Sequence, residues 1–368
     1  MENPKTYTIV VVGATVVGKS TLISAMENYL KWPKLEDAAK HLNKLEIRIP
    51  VQFTVTRKTG QSQVVSAGFA DDKIQKNENF NNSGESVTQK PKVHLFKYGN
   101  DTVRIIDTPG LADTRGTDQD EINLKLIQKM AKNQEQIHGI CIFIKSNDSK
   151  LTPQFEMTVR QLLSVFPKSA LNNVFFFFTH CVGTYFGIGD VMNPLKELQK
   201  KYEESHGSTF SLEWNKMHCV DSESFRYLVC RKQNVEYSTR SEADFYYAWD
   251  KSAEEISTFF EIVKTIQPIP ANKIEASRKL AKWTDAMKMK KPFIKPGQKA
   301  AYDHALECLK FMTKRHTLVL NKPELKTNIE FLSKNEFCEA IDEFLNVAED
   351  GGLTLQKCKE LVKILEDE

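Results

Sequence analysis

The sequence predicts an α/β protein: a mostly parallel sheet covered by helices on both faces, followed by a small all-α C-terminal region. Three observations carry this. Wholly apolar runs such as Phe175-Phe176-Phe177-Phe178 alternate with amphipathic stretches, and strands apolar on both sides belong to parallel sheets flanked by helices. The run Thr8 to Val12 ends at a glycine turn that leads into a helix. From Ala300 onward, apolar residues such as Leu306, Leu309 and Met312 recur at helical spacing,.

In chain order, Thr8–Val12 reads as a buried strand and Lys19–Tyr29 as a helix that stops before Pro33,. Leu45–Val55 alternates like an edge strand, and Asn77–Ser86 is a polar, Asn-rich loop. Val93–Tyr98 and Thr102–Ile106 form two strands joined by Gly99-Asn100-Asp101, a hairpin signal,. Helix, strand, helix and strand follow at Glu121–Lys132, Ile140–Lys145, Gln154–Phe166 and Val174–Thr179. A helix over about Pro194–Ser205 precedes the strand Met217–Val220. Phe245, Trp249, Ile256, Phe259, Val263 and Ile266 then mark a long helix, closed by Pro268 and Pro270,. These signals divide the chain into a main domain over 1–270, a linker over 271–299 and a helical module over 300–368. The linker's five lysines between Lys288 and Lys299 suit a solvated connection, with contact to acidic lipid or protein the alternative.

Composition narrows the classes. The 368 residues are 40% hydrophobic and 27% charged, which allows a sizeable soluble core,. A net charge of +3 gives no reason to expect a nucleic-acid partner,. It is unevenly spread: residues 335–368 carry ten acidic residues against three lysines, a net −7, which leaves +10 on the rest. Seven scattered cysteines form no C-x-x-C pair, so reduced thiols are expected, not a disulfide frame or zinc site,. No apolar run approaches the roughly 20 residues of a membrane helix. Met-Glu-Asn-Pro-Lys has no signal-peptide pattern, and neither myristoylation nor prenylation signals are present,. The expected location is cytoplasmic.

The chemistry is concentrated in two motifs. Gly13-Ala14-Thr15-Val16-Val17-Gly18-Lys19-Ser20 matches G-x-x-x-x-G-K-[ST] between a buried strand and a helix. Such a loop wraps phosphate groups with backbone N–H groups, aided by the helix dipole. Lys19 is placed to reach the β- and γ-phosphates, Ser20 to ligate Mg²⁺, and Thr21 continues the cradle. Asp107-Thr108-Pro109-Gly110 ends the second strand of the hairpin. A carboxylate at that tip can hold Mg²⁺, and the Gly110 N–H can approach a γ-phosphate because no side chain intervenes.

With Ser86-Val87-Thr88-Gln89 and Asp107-Thr108-Pro109-Gly110-Leu111 added to the loop, the chain resembles the translation-factor-related class of P-loop GTPases. Within it, the sequence is similar to the group holding septins, the immunity-associated GIMAP proteins and the chloroplast Toc receptors, over roughly Thr6 to Ile266. The resemblance implies a G domain, GTP and GDP as ligands with Mg²⁺, and Thr88 as a switch threonine meeting Mg²⁺ and the γ-phosphate. It also implies homodimerisation across the nucleotide face and an effector or activating protein of unknown identity.

Two departures qualify it. The usual Asn-Lys-x-Asp guanine motif is replaced by Thr179-His180-Cys181. The resemblance puts His180 on the base and draws an acidic partner from Val220-Asp221-Ser222-Glu223; Asp221 and Glu223 both stand open, as does a capping role for His180. The water-orienting glutamine is replaced by Leu111, which cannot hydrogen-bond water,. Slow turnover follows, with Arg115 either stabilising transition-state charge or standing as a solvated loop arginine. Three functions remain: a GTP-hydrolysing switch, a nucleotide-stabilised scaffold with little hydrolysis, and a P-loop kinase or ATPase.

Overall fold

The computed structural model describes residues 3–56, 60–68, 88, 90–111, 117–164, 166–237 and 242–274. The polar loop 77–86, Gln89, Arg115, the linker from 275 and the module 300–368 lie outside the described residues. Contacts divide the chain into two units. The first lies within residues 1–158, 173–196 and 211–268 and carries the sheet. The second, among the described residues, draws on 159–172, 197–210 and 269–274; within it Tyr202 packs on Phe210 and Gln199 donates to the Phe210 carbonyl at 2.7 Å.

Six strands form the main sheet: β1 (Thr6–Gly13), β4 (Lys92–Tyr98), β5 (Asp101–Asp107), β6 (Gly139–Lys145), β7 (Val174–Thr179) and β8 (Met217–Cys219). Their order is β4-β5-β1-β6-β7-β8. Only β4 runs antiparallel, hairpinned to β5, and the other neighbours are parallel. Two further strands, β2 (Val51–Thr56) and β3 (Ser62–Ala67), pair with each other as a separate hairpin. Among the described residues the α-helices are α1 (Lys19–Lys31), α2 (Leu35–Lys40), α3 (Thr117–Lys132), α4 (Pro153–Ser164), α5 (Met192–His206), α6 (Glu223–Lys232) and α7 (Glu242–Thr265).

All six residues of β7 are buried, so the phenylalanine run is covered on both sides. Phe175 and Phe177 meet Phe259 of α7 edge-on at 5.0 and 4.9 Å, and Phe143 stacks on Phe177 at 5.1 Å. Rings offset in this way add about 0.5–1.5 kcal/mol per pair to their burial. One continuous core joins this face of the sheet to α1, α6 and α7.

The expected edge strand over Leu45–Val55 begins only at Val51. The side-chain alternation is real, since Leu45, Ile49, Val51, Phe53 and Val55 are buried. The backbone of 46–49 bonds to α1 instead of a strand. Asn28 takes the Glu46 N–H and donates to its carbonyl, and Ser24 takes the Ile49 N–H at 3.1 Å. Helix α6 was not foreseen either, although Phe225, Leu228 and Val229 lie at helical spacing,.

Two buried histidines make acid stability testable. Nδ1 of His138 accepts the Thr8 N–H at 3.1 Å, and burial lowers its pKa to about 4. Burial, helped by Lys92 and Arg48, brings His94 to about 4 as well. An unfolded histidine titrates near about 6.5. The stability from keeping both neutral is therefore complete above about pH 6.5 and is lost as pH falls toward 4. His94 adds a slope of up to about 1.4 kcal/mol per pH unit in that window. Urea unfolding at pH 7 and pH 5 should show the loss, and His94→Gln with His138→Gln should flatten it. An unchanged slope in the double variant would contradict the argument.

Candidate functional site

The sheet register gathers the motif residues at one edge. β1 pairs Val11 with Asp107 on one side and Gly13 with Phe143 on the other. β6 pairs Lys145 with Thr179, so the ends of β1, β5, β6 and β7 lie together, at the carboxyl ends where open α/β sheets bind ligands. Gly13 is required there: a Cβ would stand 2.7 Å from the Phe143 carbonyl oxygen.

The loop from Gly13 to Thr21 crosses from β1 to α1. Val16 has φ 57° and Gly18 φ 89°. A left-handed β-branched residue is an outlier of the kind that gathers at functional sites, and Val16 is also 63% exposed. Lys19 is buried and turned back along the loop, with Nζ at 3.1 Å from the Gly13 carbonyl and 3.0 Å from that of Ala14. Val17 lends its carbonyl to the Thr179 hydroxyl at 2.9 Å, which ties the loop to β7. A cavity of about 210 Å³ opens over Thr15, Val16 and Gly18 to Thr21, bounded by Thr88 and Arg226.

Three oxygens converge at its end. Ser20 Oγ lies 3.1 Å from Thr88 Oγ1 and 3.0 Å from Asp107 Oδ2, and Thr88 Oγ1 is 3.3 Å from the same carboxylate oxygen. Mg²⁺ holds hard oxygens at about 2.0–2.1 Å in near-octahedral geometry, which spaces neighbouring ligands by about 3 Å. The observed separations suit that spacing. Asp107 is fully buried, and its Oδ1 and the Thr15 hydroxyl are buried with no hydrogen-bond partner among the described residues. Burial raises the Asp107 pKa, opposed by Lys19 and by the bonds from Ser20 and Thr88. An unpartnered acceptor beside two hydroxyls fits the ligand set of a divalent cation. No cluster of three His, Cys, Asp or Glu side chains among the described residues offers a rival metal site.

The Gly110 segment lies directly on the loop. Leu111 N–H donates to the Gly13 carbonyl and Thr15 N–H to the Leu111 carbonyl, both at 2.9 Å. Leu111 is fully buried. Asn123 of α3, also buried, donates to the Gly110 carbonyl at 3.0 Å, a contact the sequence reading missed. A Cβ on Gly110 would strike the Thr15 hydroxyl and lie 2.7 Å from Thr15 Cα. Gly110→Ala is therefore expected to lose about 1–3 kcal/mol in urea unfolding and to displace the loop. A variant within 0.5 kcal/mol of the parent would mean that the two segments part easily.

The opposite end holds the residues weighed for base recognition. His180 sits at φ 59°, its Cε1 3.9 Å from where a Gly18 Cβ would be. Its Nδ1 lies 3.1 Å from the Thr179 hydroxyl, and burial lowers its pKa, with Asp221 opposing. Asp221 is buried and accepts the Val182 N–H at 3.0 Å and the Glu223 N–H at 2.8 Å. Glu223 instead accepts from Tyr237 Oη at 2.6 Å and faces Arg226 at 3.6 Å. The structure thus brings Ser20, Thr88 and Asp107 together, sets His180 beside Gly18, and engages Asp221 and Glu223 within the protein.

Residues 71–183 match the AIG1 family. That family belongs with the group of P-loop GTPases that the motifs resemble. The AIG1 match spans Thr88, Asp107–Gly110 and His180. Among solved structures, Toc33 from Arabidopsis thaliana in complex with Mg²⁺ and GMPPNP aligns over 73% of this chain and 88% of that one, at 14% identity and a TM-score of 0.40. Its complex with GDP and Mg²⁺ aligns over the same shares, at 14% identity and 0.39. Translation elongation factor SelB from Methanococcus maripaludis aligns over 66% of this chain and 37% of that one, at 12% identity and 0.30. No curated protein sequence matches the chain.

Proposed function

We propose that this chain binds GTP and GDP with Mg²⁺ and hydrolyses GTP slowly, acting as a nucleotide-dependent switch. The observation that carries the reading is the convergence of Ser20, Thr88 and Asp107 oxygens beside Lys19 in a glycine-bounded loop. The AIG1 match supports GTP as the nucleotide.

In this reading the left-handed turn at Val16 aims loop N–H groups at the phosphates,. Lys19, already folded toward them, neutralises their charge. Ser20 and Thr88 hold Mg²⁺ through their hydroxyls, and Asp107 supports it with its carboxylate. A Mg²⁺ held by these residues would supply positive charge for phosphoryl transfer. The Gly110 N–H meets the γ-phosphate, so loss of that phosphate frees the 107–111 segment to relax. His180 packs on the base as a neutral ring, and Asp221 and Glu223 remain alternative acidic partners for guanine. Arg115, outside the described residues, is assigned to transition-state charge. Homodimerisation across the nucleotide face is part of the proposal, supported by the exposed Val16 and by Tyr185, which is 89% exposed just after His180. The location proposed is cytoplasmic.

A second reading, a scaffold that holds nucleotide and barely turns it over, is favoured by Leu111. It fills the position expected of a water-orienting side chain, and it is buried and bonded to the loop.

The test is GTP and ATP hydrolysis with Mg²⁺ over a hundredfold range of protein concentration. A GTP-selective rate per molecule that rises with concentration is expected. Tight GTP binding with a flat, near-zero rate would favour the scaffold, and preference for ATP would sink the guanine assignment.

A further inference from the structure

We infer that Arg226 is a nucleotide-phosphate ligand, a second cation that grips the phosphate chain from the nucleoside side of the cleft. The inference rests on the proposed nucleotide site and adds to it a residue that neither motif contains. Arg226 lies on α6, in the turn after β8, and lines the same 210 Å³ cavity as the loop residues Thr15 to Thr21. Lys19 enters that cavity from the loop itself, and Arg226 enters from another element.

The guanidinium is held for such a task. It lies over the Phe53 ring at 4.8 Å, and its Nη1 faces Glu223 at 3.6 Å. Glu223 is itself fixed by the Tyr237 hydroxyl at 2.6 Å. Stacking on a ring leaves the donor edges of the planar fork available, and that fork matches phosphate oxygens in pairs. An ion pair of 3.6 Å between partly exposed side chains holds it weakly, so phosphate can take over those donors,.

Its placement decides which phosphates it serves. Thr88, Asp107 and Gly110 gather at the far end of the loop, where a γ-phosphate belongs. Arg226 stands in the first turn of α6, its N–H bonded to the Ser222 carbonyl at 3.0 Å; the adjoining Asp221 takes the Val182 N–H at 3.0 Å, two residues from His180, which sits beside Gly18. It therefore meets the phosphates nearest the nucleoside, which GDP and GTP share, and contributes to binding both alike.

The test measures dissociation constants of fluorescent GDP and of a non-hydrolysable GTP analogue, with Mg²⁺, for the parent, Arg226→Met and Arg226→Lys. Methionine keeps length and apolar packing over Phe53, and thermal unfolding without nucleotide checks that the fold is retained. Arg226→Met should weaken both nucleotides by the same factor, about tenfold or more, and Arg226→Lys should recover part of it. Unchanged affinity in Arg226→Met would overturn the inference and leave the arginine a packing residue. Loss confined to the GTP analogue would overturn it too, since it would place Arg226 at the γ-phosphate. If the parent binds neither nucleotide, the proposed function fails first, an outcome distinct from a parent that binds and a variant that binds equally well.

Discussion

Replacing Lys19 by alanine should abolish measurable GTP hydrolysis and weaken GTP binding by about 10²- to 10³-fold, under the proposed function. The ammonium is buried, is held 3.0–3.1 Å from two loop carbonyls, and faces the cavity that Thr15 to Thr21 enclose. Removing a desolvated charge that pairs with another typically costs about 2–5 kcal/mol, and each 1.4 kcal/mol is about tenfold. Nucleotide binding by Lys19→Ala should be read beside its thermal unfolding without nucleotide. A folded variant that binds GTP as tightly as the parent would mean that the phosphates do not lie on this loop. Lys19→Arg separates charge from shape: the longer, planar fork cannot reproduce the turn back onto Gly13 and Ala14, so it too should bind poorly.

Trp249→Ala should be the most destabilising single change in the described core, by about 3–5 kcal/mol. Trp249 is fully buried, donates to the Trp32 carbonyl at 2.8 Å, and meets Tyr29 edge-on at 4.7 Å. Truncation removes the ring and leaves the Trp32 carbonyl without that donor. With whole-domain stabilities of about 5–15 kcal/mol, this is a large fraction, and urea midpoints will report it. The effect should also reach the site. Tyr29 and Ser252 both bond the backbone of Asp221, so a collapsed Trp249 position loosens the segment that leads into α6 and Arg226. Trp249→Phe, which refills most of the volume, should restore much of the stability. A loss under 1 kcal/mol in Trp249→Ala would show that α1 and α7 repack without the ring.

The glycine-bounded loop between β1 and α1, the hairpin and the alternating strands and helices were all legible in the amino-acid order. Each depends on residues close in sequence: a glycine-bounded loop between an apolar run and a helix, a Gly-Asn-Asp turn, or phenylalanines that only a doubly covered strand can bury. The family resemblance rested on those same local patterns, and the AIG1 match covers Thr88 through His180. Where the sequence reading overreached, at Leu45–Val55, side-chain alternation was correct but silent about the backbone. Asn28 and Ser24 of α1 took the hydrogen bonds that a strand partner would have taken.

Tertiary structure decided what depends on register and on distant partners. Pairing of Val11 with Asp107 brings that carboxylate to Ser20, 87 residues away in sequence, and Thr88 closes the set. No local pattern encodes that Leu111 would bond back to Gly13 and Thr15, or that Asn123 would hold Gly110. Asp221 and Glu223 looked equivalent in sequence. In the fold, Asp221 accepts two backbone N–H groups while Glu223 turns to Tyr237 and Arg226. Arg226 was invisible because its helix is ordinary in sequence, and only the packing of α6 against α2 and α7, with the guanidinium over Phe53, sets it at the cavity wall. The sequence by itself determined the elements and the chemistry of the loop, because propensity and motif act over a few residues. Which side chains meet there was settled by sheet register and helix packing, which join positions tens to hundreds of residues apart.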